Sequence, residues 1–313
     1  MHSTASLWGP DPETRSRASA SVSRKEGRVR NGCFGSVVAI AIATSLVAAG
    51  PVAGQATGTQ QTSAAAAPRW VPPKTPDGQP DIQGYWSQRS DITTYSIQAG
   101  LVDREEHTRI GGQAPQQGKP VIDPPDGKIP YLPGAAEKAA FHYSEHKRPS
   151  KVEYLDPVSR CFEEGVPRIN YQGNMRILQF PKYIVILHEF GHHYRVIYLD
   201  GRPPVGDTLK LWMGDSRGRW EGNTLVVDVT NHNDRTWFDI VGSFHSDAMR
   251  VQERWTFASA DRIDYVATIE DPKVFARPWK LAVTMGRNKP EEQWESAICE
   301  GNKAVHVAFD LPW

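Results

Sequence analysis

From Cys161 onward, short runs rich in β-branched and aromatic residues alternate with clusters of turn formers. The pattern predicts strands at 175–180, 183–190, 193–199, 209–213, 224–230, 249–257, 263–269, 279–285 and 294–299. Within 249–257, a two-residue period puts Met249, Val251, Trp255 and Phe257 on one side with Glu253 among them. The stretch from Trp212 to Asp228 reads as a tight turn feeding a half-buried strand. Eight or nine strands in about 140 residues, with mostly short connections, predict an antiparallel sheet closed as a barrel or folded as a sandwich. A barrel of about eight strands can hold one small ligand. Residues 68–155 read differently. Pro72-Pro73, Pro124-Pro125 and Asp126-Gly127 are turn signals, and apolar clusters are few. This segment is expected to wrap a barrel domain at 156–313 in extended form, with one short helix around 135–146.

The first residues change the setting. A basic stretch with Arg24, Lys25, Arg28 and Arg30 precedes an apolar run from Val37 to Ala49 and small residues ending at Gly54 and Ala56. This is the order of an export signal at 1–56, and 57–67 is a polar spacer. The apolar run falls short of the about 20 residues a membrane-spanning helix needs, so export without an integral membrane span is expected. The whole chain has 36 basic and 36 acidic side chains, and the leader holds more of the basic ones. The remainder is slightly acidic and offers nothing to nucleic acid or an anionic membrane. Cys33 leaves with the leader. In an oxidising compartment Cys161 and Cys299 are expected to form one disulfide, worth roughly 4 to 5 kcal/mol on the chain-entropy model.

Candidate chemistry comes next. His188-Glu189-Phe190-Gly191-His192 matches the zinc-protease pattern, in which one helical face carries both histidines. Here both flanks favour strands and Gly191-His192 falls where a hairpin turns, so a zinc metalloprotease is the least supported reading. Glu221 is only a loosely spaced third ligand. His188, His192, His193, His232 and His245 leave room for zinc, copper or iron, although no cofactor is the primary expectation. Gly214 to Gly218 lies between strands and cradles no phosphate, and Ser216 is in no nucleophile elbow. Glu253 on an apolar face is costly unless paired, which suits either a salt bridge to an inward arginine or a general base.

Several stretches carry a resemblance: Trp70 to Trp86, Arg160-Cys161, Gly165 to Arg168, Tyr194 to Ile197, Asp200 to Arg202, Trp212 to Asp228, His245-Ser246, Glu253-Arg254, Glu270 to Pro272, Arg277 to Trp279, and Cys299 to Asn302. With the pattern W-x-G-D-S-x-G-x-W-E-G-N-T-L-V-V-D at its centre, the chain resembles a group of uncharacterised exported bacterial proteins with a lipocalin-like, calycin-type barrel. The resemblance implies a mainly β fold, an antiparallel barrel of eight or nine strands wrapped by the N-terminal extension, and no particular reaction. Relatives often read Cys-His-Glu-Gly-Asn where this chain has Cys299-Glu300-Gly301-Asn302, so no histidine role carries over there.

Two functional classes follow. The first is a cofactor-independent lyase, isomerase or hydratase acting on a small apolar or aromatic molecule. His245 or His188 would be one acid/base member and Glu253 or Glu189 the other. Arg195, Arg254 and Arg277 would hold developing negative charge, and Tyr194, Trp220, Trp255 and Trp279 would line the pocket. The second is a non-catalytic small-molecule binder of the lipocalin type, in which Glu253 is bound by arginine. The first needs a histidine and a carboxylate within reach of each other.

Overall fold

The computed structural model describes residues 70–89, 95–101 and 120–290. Alternating inward and outward residues build the strands β1 (Gly84–Gln88), β2 (Val121–Asp123), β3 (Asn174–Phe180), β4 (Tyr183–His188), β5 (Tyr194–Tyr198), β6 (Asp215–Glu221), β7 (Thr224–Thr230), β8 (Arg250–Ser259), β9 (Arg262–Glu270) and β10 (Trp279–Asn288). β1 and β3 to β10 pair in sequence order, and β10 returns to β1, so nine strands close a barrel with β2 added alongside β10. The chain is therefore mainly β with few helices.

Direction cannot alternate all the way round a ring with an odd number of members. One neighbouring pair must run parallel, and it is β5 with β6, joined at Ile197 opposite Ser216 and Tyr198 opposite Arg217. Parallel neighbours cannot share a hairpin, which explains the long connection through 199–214. The other barrel pairings are antiparallel. The antiparallel barrel expected from the sequence is thus a mixed one.

Two sequence expectations shift. Residues 209–213 are not a strand; Leu211 makes only an isolated bridge to His232. β6 instead takes the residues just after them, where Ser216, Gly218 and Trp220 alternate with charged neighbours. β1 comes from the stretch expected only to wrap, yet it is a stave of the barrel, paired to β10 on one side and β3 on the other. The expected strand at 294–299 lies outside the described residues. The short helix is present as α1 (Pro133–Glu145), begun by a proline in its first turn. Its one buried side chain, His142, stacks on Trp237 at 4.8 Å and bonds to the carbonyl of Gly242 at 2.9 Å.

Large side chains fill the barrel. Trp86 is fully buried at the closing strand, donates Nε1–H to the carbonyl of Ile82 at 3.1 Å and meets Phe257 edge-on at 6.0 Å. Trp255 lies edge-on to Tyr265 at 4.9 Å, and Trp279 packs against Phe238 and Phe275. Trp220, half-buried, lies 6.2 Å from the same Phe257 and donates its indole N–H to Gln79 at 2.9 Å. Because Trp86 fixes the closing strand to the core, Trp86→Ala is expected to cost about 3–5 kcal/mol in urea denaturation of the protein.

Candidate functional site

Alternation along β5 turns Arg195 and Ile197 inward, and along β8 it turns Val251, Glu253, Trp255 and Phe257 inward. Arg195 and Glu253 meet inside the barrel, 2% and 0% exposed. Arg195 donates from Nη1 at 3.0 Å and Nη2 at 2.5 Å to the two carboxylate oxygens of Glu253, and its Nε–H reaches Ser216 Oγ at 3.0 Å. Glu253 Oε1 also accepts from Asn170 Nδ2 at 2.7 Å and from the Tyr265 hydroxyl at 2.9 Å. Burial, reinforced by the Glu253 charge, pushes the Tyr265 hydroxyl well above its usual range, so it stays a donor. This is the salt-bridge arrangement for Glu253. The carboxylate is committed to an arginine, and among the described residues no histidine is hydrogen-bonded to it.

Around this pair runs a circuit of imidazoles at the rim where β4, β7 and β9 end and β5, β6, β8 and β10 begin. His188, the last inward residue of β4, is 3% exposed, and neither ring nitrogen has a hydrogen-bond partner among the described residues. Burial, then the Arg195 cation and His193, push it down to about 3. His232 is fully buried, and its ring nitrogens are likewise without partners among the described residues. Burial, then His245 and Arg195, hold it well below the ordinary value. His232 faces His245 at 5.9 Å between ring centroids, and His245 bonds to Thr236 Oγ1 at 2.7 Å and the Ser246 carbonyl at 2.9 Å. Gly214 makes room here: a Cβ would come within 2.8 Å of His232 and 2.7 Å of Val229, and its φ of 66° suits glycine.

The circuit closes through Glu164. Its Oε2 lies 3.4 Å from His193 Nε2, and its neighbour Gly165 packs against Thr236. Glu164 is 1% exposed, neither oxygen has a hydrogen bond of normal geometry among the described residues, and burial raises its carboxyl to about 7. His193 is lowered by burial, with Glu163 acting in the opposite direction. Near neutral pH a partly protonated carboxyl thus stands beside a neutral imidazole, the complementary states that proton transfer uses. Sequence reasoning missed this pair. Glu163-Glu164 reads as a solvated acidic dipeptide, and the fold buries only its second member.

Other expected site residues are dispersed. Glu189 lies on the turn after β4 and accepts from the Asn174 backbone N–H at 3.3 Å. His192 is exposed with φ 56°, directly after Gly191 at φ 66°. The His188–His192 stretch is therefore a hairpin turn with one imidazole inside and one in solvent, not one face of an α-helix. Tyr194 is 68% exposed on the outer wall. Arg254 pairs with Glu221 at 3.0 Å and Arg277 with Asp123 at 2.9 Å, both at the surface. Trp220, Trp255 and Trp279 are packing residues of the interior as described above. Cys161 caps a short 3-10 turn with φ 63°, while Cys299 lies outside the described residues.

A cavity of about 580 Å³ opens near the same rim, lined by residues such as Asp207, Lys210, Asn231, Asp247 and Arg250. No expected site residue lines it. Among the described residues no group of three or more His, Cys, Asp or Glu is arranged to hold a metal ion. No described helix is long and apolar enough to cross a membrane. Comparison with protein-family models, curated proteins and solved structures gives no match in any of the three.

Removing one partner of the buried pair strands the other. Glu253→Gln is expected to lose roughly 3–5 kcal/mol in equilibrium denaturation, whereas replacing Arg195 and Glu253 together by Met and Leu is expected to recover much of that loss. The histidines give a pH dependence of definite sign. His188 has an ordinary value of 6.5 and a folded value of about 3, so its stabilisation is complete above 6.5 and is lost as the pH falls toward 3. Glu164, raised from 4.5 to about 7, acts oppositely, stabilising below 4.5 and losing that effect as the pH rises through 7. Depressed imidazoles at His142, His188, His193, His232 and His245 outnumber the raised buried carboxyls Glu164 and Asp239. The melting temperature should therefore fall between pH 6.5 and 4.5, and Glu164→Gln should steepen that fall.

Proposed function

We propose that this chain is an exported, cofactor-independent acid/base enzyme of the lyase, isomerase or hydratase kind, acting on a small apolar or aromatic molecule at the histidine-lined rim of the barrel. The observation that carries the reading is the Glu164–His193 contact at 3.4 Å, a buried carboxyl beside an imidazole with a side chain that keeps 18% exposure. In this reading His193 takes a proton from the bound molecule and Glu164 gives one to it, after which the proton on His193 passes to Glu164 and restores both starting states. His188 and His232 offer neutral ring nitrogens to the bound molecule, and the Arg195–Glu253 pair fixes β5 and β8 behind them. An aromatic molecule would find a platform close by in sequence, where Phe162 stacks on Trp212 with centroids 4.9 Å apart.

Export rests on the leader pattern at 1–56, on the proposed Cys161–Cys299 disulfide and on the resemblance to exported barrel proteins. The second reading, a binder without catalysis, draws on the commitment of Glu253 to Arg195.

Proton transfer separates the two. Mature protein is incubated in deuterated buffer with a panel of small cyclic and aromatic compounds, and deuterium incorporation and turnover are followed by mass spectrometry and NMR. The enzyme reading expects incorporation that falls about 10²-fold or more in Glu164→Gln, with the melting temperature at neutral pH little changed. Binding without incorporation, or incorporation that survives Glu164→Gln, would overturn it.

A further inference from the structure

The cavity of about 580 Å³ is a product of the odd strand count. Because β5 and β6 run parallel, the chain must travel through 199–214 between them, and this crossover supplies Pro204, Asp207 and Lys210 to the lining. The end of β7, the turn before β8 and the end of β9 supply the rest. Val251 and Ile269 point into the barrel, so their neighbours Arg250 and Glu270 face outward, and both are exposed. The cavity therefore lies on the outer side of the wall.

Its surroundings are tied together by specific bonds. Asn231, 7% exposed, donates from Nδ2 to the carbonyls of Gly206 and Leu209, both at 3.0 Å, and so holds the crossover against the end of β7. Its φ of 60° is a left-handed conformation that asparagine tolerates better than most residues. Lys210 donates to the Asp247 carbonyl at 2.8 Å, which joins the crossover to the turn before β8. Ser246 donates twice to Asp271, from its N–H at 2.6 Å and its hydroxyl at 2.9 Å, which joins that turn to the end of β9. Cross-ties of this kind make the cavity a fixed feature of the fold.

The charges that line it are of two kinds. Asp247 is engaged, with Lys273 at 2.7 Å and Lys210 at 3.9 Å. The side chains of Asp207, Arg250 and Glu270 enter no hydrogen bond or ion pair among the described residues. Arg250 and Glu270 are direct partners in the β8–β9 ladder. Residues so opposed have Cβ atoms about 5 Å apart, and opposite charges in that position attract. Here the two side chains stay unpaired and line the cavity instead. An unpaired guanidinium is a planar, two-pronged donor suited to a carboxylate. Unpaired carboxylates beside it suit an ammonium group. Three carboxylates against two cations on the lining disfavour a purely anionic ligand, and a molecule of both signs matches. The volume is that of a small-molecule pocket, and Pro204, Met249 and Pro272 add apolar surface for the remainder of the ligand.

We propose that this cavity binds a small zwitterion carrying an ammonium and a carboxylate, the chemistry of a free amino acid or a short peptide. Arg250 takes the carboxylate, and Asp207 and Glu270 take the ammonium. Neither Glu164 nor His193 lines the cavity, so the inference stands independently of the proton-transfer reading.

Calorimetric titration of the purified protein with glycine, L-leucine, L-lysine and the dipeptide alanyl-leucine is expected to show one-to-one binding for at least one of the four. Which of them bind separates a free amino acid from a peptide as the occupant. For a probe that binds, amidation of its carboxylate or the change Arg250→Gln is expected to weaken affinity about tenfold or more. Acetylation of its α-ammonium, or Asp207→Asn combined with Glu270→Gln, is expected to do the same. The variants should melt at the wild-type temperature, since the replaced side chains hold nothing together among the described residues. Absence of binding by all four probes, or affinity that survives Arg250→Gln or the blocking of either end, would overturn the site.

Discussion

A charged pair sealed inside the barrel is the constraint on which the rest depends. Arg195 and Glu253 come from strands three places apart in the ring, and together with Ser216, Asn170 and Tyr265 they tie β5, β6, β8, β9 and the short 168–171 turn to one point. Desolvating two ions is expensive, and the cost is offset only where geometry is good and remaining lone pairs are satisfied. Glu253 meets that condition with a two-pronged arginine and two further donors. The arrangement leaves little latitude in register, since a one-residue slip of β5 or β8 would turn one ion outward and leave the other alone in the core.

The same cation shapes its surroundings. Burial and the nearby Arg195 charge both disfavour protonation of His188 and His232, so these imidazoles stay neutral and keep acceptor nitrogens with no hydrogen-bond partner among the described residues. Glu164 responds to burial in the opposite sense and keeps its proton to about neutral pH. One environment thus sets bases and acid in complementary states. The functional reading is an argument about this environment rather than about any single residue.

Much of the barrel was legible in the sequence because β3, β4, β5 and β7 to β10 are built from alternating β-branched and aromatic residues. β6 was hidden because its inward positions, Ser216 and Gly218, are small and its outward ones charged, which erases the apolar signal. β1 was hidden because five residues among prolines and glycines give too short a period to read. At the site, the cost of placing Glu253 on an apolar face was visible, but its counter-ion was not: Arg195 sits on a separate strand 58 positions away and read equally well as a ligand contact. The histidines were named as a group, yet which of them are buried depends on long-range closure. His188 and His192 are four residues apart and end in opposite environments because Gly191 reverses the chain between them.

Oddness in the ring leaves a seam. The β5–β6 ladder rests on two opposed positions, whereas β6 and β7 are matched over seven. The thin ladder is supplemented by the Arg195–Ser216 hydrogen bond, which crosses the same junction from inside. Breathing of the wall should therefore begin there, and amide protons flanking Ile197 and Ser216 should exchange with solvent before those of β8 and β9.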